Sequence, residues 1–128
     1  MKLHHLGFIV KDIDMYQTKM IYESKLYDII DPIQNARLSL YKNYSDSFIE
    51  LIEPLNENAY TWNSMHKKGN HFNHFCYRVK NFAVVNLYEE KHQLLKILGP
   101  IPSKLFNEKE VCFYYTRNKH IVEFLIDK

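Results

Sequence analysis

Two histidines and two glutamates, His5, Glu50, His74 and Glu123, are the residues of this chain best placed to do chemistry. Imidazole nitrogens and carboxylate oxygens together suit a divalent ion such as Zn, Ni, Co, Mn or Fe. Spacing singles these four out. HHLGFIVKDI, from His4, aligns with NHFCYRVKNF, from Asn73, so that His5 meets His74, Val10 meets Val79 and Lys11 meets Lys80, each 69 residues apart. SFIELIEP, carrying Glu50, matches HIVEFLID, carrying Glu123, at 73 residues. Two matches in the same order at nearly one offset indicate a duplicated unit.

Strand parity adds a physical argument, because side chains alternate between faces. Phe48, Glu50 and Ile52 share one face and Ile49 and Leu51 the other. Ile121, Glu123 and Leu125 share one face; Val122, Phe124 and Ile126 share the other. Each glutamate is thus a lone carboxylate in a strand apolar on both sides. Burying it needs a partner, which a metal ion or an arginine can provide. His5 shares its face with Gly7 and Ile9, and His74 with Cys76 and Arg78. Taken singly, a strand histidine is more often a hydrogen-bonded core or surface residue, and such a glutamate more often salt-bridged. The repeated set favours a metal. If the units pack symmetrically, the four groups converge and leave coordination positions for water or substrate.

The remaining polar residues carry weaker signals. His4 is expected to point away from His5, and His71 has the wrong parity to share the face of His74. His66, His92 and His120 read as surface or loop residues. Lys67 and Lys68 could touch a phosphate, although paired lysines in a polar loop are usually solvated. Arg37 and Arg78 are candidates to line a cavity, with a salt bridge equally good for Arg78.

The elements that must position these residues follow from pattern. LHHLGFIV reads as a strand, and Asp12 or Asp14 caps a helix running to about Leu26. YDII, ARLSLY and SFIELI read as strands separated by the turns DPIQN and KNYSD. HFNHFCYRV reads as a strand. Phe82 to about Ile97 reads as a helix with Val84, Leu87, Tyr88 and Leu95 on one stripe, stopped by Gly99 and Pro100. VCFYYT and HIVEFLI follow, joined across RNK. This predicts an α+β chain of two βαβββ units. Unit one covers about 1–56, a polar connector about 57–70 with a helical turn near Tyr60 to His66, and unit two about 71–128.

Length fits one domain with a hydrophobic core of its own. The formal net charge of +2, with both signs intermixed, offers no electrostatic case for nucleic acid. MKLHHLGFIV reads as neither a signal peptide nor a membrane span. Cys76 and Cys112 lie in apolar runs without a CxxC, so reduced core thiols and a cytoplasmic location are expected.

HHLGFIVKDID, IELIEPLNE, KKGNHFNHFCYRV and IVEFLID resemble the vicinal-oxygen-chelate superfamily, which includes glyoxalase I and methylmalonyl-CoA epimerase. The resemblance covers nearly the whole chain. It implies paired βαβββ units forming an open β-sheet cup around one divalent metal held by His5, Glu50, His74 and Glu123, and a homodimer. It also implies a lyase or isomerase/epimerase acting on a small molecule. A metal-stabilised enediolate or enolate would form there while Glu123 or Glu50 moves a proton next to a carbonyl. Epimerases of this type carry a further catalytic glutamate at a position where this chain has Gln34, and a neutral amide cannot be a base. An iron-dependent dioxygenase and a non-enzymatic drug-binding protein of the same fold are the alternatives. Arg37, Tyr41, Phe48, Arg78 and Tyr115 are the expected specificity residues.

Overall fold

The computed structural model describes residues 1–127. Both halves follow the order βαβββ, giving an α+β fold. The first contains β1 (Lys2–Ile9), α1 (Ile13–Gln17), β2 (Ser24–Asp31), β3 (Ala36–Lys42) and β4 (Phe48–Pro54). A connector carries α2 (Trp62–Lys68). The second half contains β5 (His71–Val79), α3 (Phe82–His92), β6 (Leu95–Ser103), β7 (Lys109–Tyr115) and β8 (Ile121–Ile126). A single 3-10 turn, Lys104–Phe106, precedes β7. By contacts, Leu6–Asn73 form one compact unit, and Met1–His5 join the segment from His74 onward in the other.

In the Leu6–Asn73 unit the strand order is β2-β3-β4-β1, with β2, β3 and β4 an antiparallel meander. Asp12 caps α1 by accepting from the Met15 N–H, and Glu53 accepts from the Ile13 N–H at 2.8 Å, tying the helix start to β4. Val10, Ile13, Tyr41 and Leu51 form the buried cluster beneath α1. The helix ends at Gln17, well short of the expected Leu26. Thr18 returns both its N–H and its hydroxyl to the Met15 carbonyl, tightening the last turn. From Glu23 onward the backbone bonds to β3 instead, starting with the Lys42 carbonyl at 2.8 Å. Sheet pairing outweighs local helix propensity here.

In the other unit the order is β5-β8-β7-β6; β5 and β8 are parallel and the remaining pairs antiparallel. α3, capped by Asn81 on the Val84 N–H, lies on Val79, Cys112, Tyr114, Val122, Phe124 and Ile126 through Val85. Val84 and Tyr88 pack there too, whereas Leu87 is exposed and Leu95 belongs to a strand. The helix ends at His92, with Gln93 left-handed at φ 53°. Leu95 then pairs with Tyr115. Gly99 and Pro100 therefore lie within β6, a strand that their helix-stopping character hides in the sequence. β6 is irregular at Leu98, and Gly99 has φ +102°. A Cβ there would meet the Val111 carbonyl oxygen at 2.5 Å, so glycine is required by close approach as well as by backbone sign.

Among the described residues no helix is long and apolar enough to cross a membrane. Cys76 and Cys112 are buried thiols, and burial pushes Cys112 up to about 11.

Two outcomes are expected. Gly99→Ala should lower unfolding free energy by more than about 1 kcal/mol in a urea titration; an unchanged midpoint would contradict the β6 geometry. A chromogenic disulfide reagent should titrate two thiols only after denaturation, and rapid reaction of the native protein would show the thiols to be accessible.

Candidate metal centre

Within the unit formed by Met1–His5 and the segment from His74 onward, β1, β5 and β8 bring three of the predicted residues together. His5 Nε2 and His74 Nε2 are 3.0 Å apart. Glu123 Oε1 lies 3.1 Å from the first and 3.0 Å from the second. All three side chains are buried, His5 at 0%, His74 at 1% and Glu123 at 3% exposure. Strand register explains the convergence: Cys76 of β5 and Phe113 of β7 are the partners of Glu123 on β8. The face that carries Glu123 is otherwise apolar, with Cys76, Val111, Phe113 and Leu125 buried and Ile101, Phe106 and Ile121 packed against them.

Burial in this lining would raise the Glu123 carboxyl. The His5 and His74 imidazoles beside it outweigh burial and hold it well below the usual carboxylate range. Oε1 itself is buried, 3.0–3.1 Å from both ring nitrogens. An ionised oxygen and two ring nitrogens, all facing one point, form a donor set that fits a divalent ion. The spacing fits as well: ligands about 2.1 Å from one ion and at right angles to each other are separated by about 3 Å.

Glu50 lies in the Leu6–Asn73 unit, 5% exposed, on the β4 face opposite Leu40. Phe48 and Ile52 share that face, as do Leu38 and Leu40 from β3. Arg37 and Tyr41 are on the other face, paired with Glu53 and Ile49, so they do not join Glu50 as expected specificity residues. Arg37 instead binds Asp14 and Asp28, and its guanidinium, with the Lys25 ammonium, holds the Asp28 carboxyl at about 2. The Tyr41 hydroxyl donates to Gln17. Arg78 pairs with Asp127 at 3.1 Å. Gln34 donates through its side-chain amide to Asp31, whose carboxylate also accepts from the Ile33 and Gln34 N–H groups. That turn occupies both residues.

His4 departs from expectation. It is buried, and its Nδ1 lies 2.8 Å from His5 Nδ1. Strict alternation along β1 had placed it away from the site. Phe106, which no motif marked, stacks on the His5 ring at 5.5 Å and meets the His4 ring edge-on at 5.3 Å. Three further histidines have partners of their own: His71 bonds the Gly69 carbonyl, His66 the Trp62 carbonyl, and His92 stacks on Tyr88. Lys67 and Lys68 are exposed in the last turn of α2.

Comparison with known proteins places this geometry in context. The family model described as glyoxalase/bleomycin resistance protein/dioxygenase superfamily matches residues 4–91. A hypothetical protein from Bacillus halodurans superposes with a TM-score of 0.83 at 23% identity, over 99% of this chain and 94% of that one. Methylmalonyl-CoA epimerase from Mycobacterium tuberculosis gives 0.80 at 18% identity, over 99% and 88%. A Streptomyces coelicolor methylmalonyl-CoA epimerase in complex with 2-nitronate-propionyl-CoA gives 0.78 at 16%, over 98% and 96%. These structural likenesses show a shared fold. No curated protein matches the sequence.

The donor set predicts about one divalent ion per chain, measured by plasma mass spectrometry on purified protein. His74→Ala and Glu123→Ala should each lose it, since removing one of so few ligands leaves a weak site. Wild-type protein without metal after reconstitution would sink this assignment.

Proposed function

Since this chain belongs to the glyoxalase/bleomycin resistance protein/dioxygenase superfamily, we propose that it is a metal-dependent lyase or isomerase/epimerase that moves a proton next to a carbonyl of a small molecule. The observation that carries this reading is the meeting of the buried Glu123 carboxylate with the Nε2 atoms of His5 and His74. Glu50 is proposed as the fourth ligand. It matches Glu123 in the repeat and is a buried carboxylate on an otherwise apolar strand face.

A bound divalent ion would polarise a substrate carbonyl and stabilise negative charge on its oxygen. The chain's own residues supply the rest. His5 and His74 would hold the ion through neutral Nε2 atoms. Glu123, kept ionised, can accept a proton from the carbon beside the carbonyl and return it. Glu50 is the second carboxylate able to do so. Gln34 cannot, being an amide committed to Asp31. The two-base pattern of an epimerase would therefore have to come from Glu50 and Glu123 themselves. The apolar residues packed around Glu123 would shield a transferred proton from water.

The neighbour crystallised with 2-nitronate-propionyl-CoA makes an acyl thioester the first substrate class to test. A homodimer is proposed as the working form. The outer strands β2 and β6 support it, exposing Leu26, Tyr27 and Ile30, and Leu95, Ile97 and Leu98. A cytoplasmic location is proposed with it, in keeping with two reduced thiols.

One observation favours a second reading: two histidines and one carboxylate within a single unit also make the ligand set of iron-dependent oxygenases. Glu50, proposed as a fourth protein ligand, argues against that reading, because it would leave fewer positions for oxygen and substrate.

Metal-loaded protein in deuterium oxide should exchange the α-proton of methylmalonyl-CoA or of a hemithioacetal. Glu123→Gln should slow exchange about 100- to 10,000-fold, the range expected for losing a positioned base. Metal-replete protein that exchanges neither, but consumes oxygen with ferrous iron and a catechol, would replace this reading with the oxygenase one.

A further inference from the structure

We propose that His4 is a positioning residue for the metal ligand His5, holding it in the one tautomer that can ligate through Nε2. This rests on the metal reading above.

A neutral imidazole carries one proton on two nitrogens. If His5 presents the Nε2 lone pair to an ion, its proton must sit on Nδ1. His4 Nδ1 is 2.8 Å from that atom. The His5 Nδ1–H therefore donates, His4 Nδ1 accepts, and the His4 proton sits on its own Nε2. Each ring dictates the tautomer of the other. A metal-bound histidine commonly has its remote nitrogen anchored by a carboxylate or a carbonyl, which sets both ring orientation and basicity. Here a second histidine takes that place.

Packing keeps the pair in register. His4 is 7% exposed and His5 0%. The two rings meet at 79°, so the Nδ1 lone pair of one can point at the N–H of the other. Phe106 lies against both, stacked on His5 and edge-on to His4, so neither ring can turn without moving it.

The same arrangement decides between two clusters that share His5. His4, His5 and Cys76 also offer ligand atoms within 4.8 Å of one another. A neutral His5 has only one lone pair to give. With Nε2 committed beside His74 and Glu123, its Nδ1 carries a proton and cannot bind a second ion. One ion per chain follows, with His4 behind it as hydrogen-bond acceptor.

The test is zinc affinity by competition with a chromophoric chelator, on wild type, His4→Leu and His4→Gln, together with long-range proton–nitrogen spectra of the zinc-loaded wild type. Leucine cannot accept the bond and should weaken zinc about 10- to 100-fold. Glutamine, whose amide oxygen can accept it, should recover most of that loss. The spectra should show His5 protonated at Nδ1 and His4 at Nε2. Equal affinity in His4→Leu, no recovery in His4→Gln, a His4 proton on Nδ1, or a second zinc per chain would each overturn the inference while leaving the metal reading intact. The wild-type spectra decide the matter even if His4→Leu does not fold. Wild type that takes up no zinc overturns the metal reading, and this inference with it.

Discussion

The ionised Glu123 carboxylate, buried in an apolar lining against two imidazoles, is the interaction on which the site depends. A carboxylate in such surroundings would protonate if left alone, because desolvation penalises its charge. His5 and His74 reverse that tendency. The three atoms at 3.0–3.1 Å spacing then constrain the backbone: β1, β5 and β8 must present these side chains to one point. That is why Cys76 and Phe113 stand beside Glu123, and why Phe106 closes over the His5 ring.

The sheets meet this demand at the expense of the helices. α1 is little more than one turn, and α3 stops at His92. In both cases the following segment bonds to a strand instead of extending the helix. Lys25 pairs with Tyr41, and Leu95 with Tyr115. Each helix covers its own sheet face around one fully buried residue, Ile13 for α1 and Val85 for α3. On that outer side Arg37 binds both Asp14 and Asp28, a part-exposed network that ties α1 to β2 and β3.

A duplicated unit reaches two outcomes from one plan. Glu50 and Glu123 hold matching places in their strands, and each is a carboxylate surrounded by apolar neighbours. The loops between matching strands have diverged. Where the first half turns through Asp31 and Gln34, the second passes through the 3-10 turn that carries Phe106. Differences of that kind, on loops held by a common scaffold, are where members of one fold acquire different substrates.

The sequence by itself determined the βαβββ repeat, the family and the four candidate ligands. The repeat and the candidate ligands are written in local signals, an offset between motifs, alternation along a strand, or a carboxylate where apolar residues belong; the family is written in the resemblance of those motifs to its own. It misplaced the ends of both main helices, concealed β6 behind Gly99 and Pro100, and pointed His4 away from His5. It also named Arg37 and Tyr41 as specificity residues without fixing their face, and register puts them on the β3 face opposite to that of Leu40 and Glu50. Those features depend on long-range facts. A strand partner far along the chain captures backbone that would otherwise stay helical, and register sets which face a side chain takes. A neighbouring ring such as Phe106 can hold His4 against its strand's simple alternation. Only the tertiary structure contains those partners, so only it could decide them.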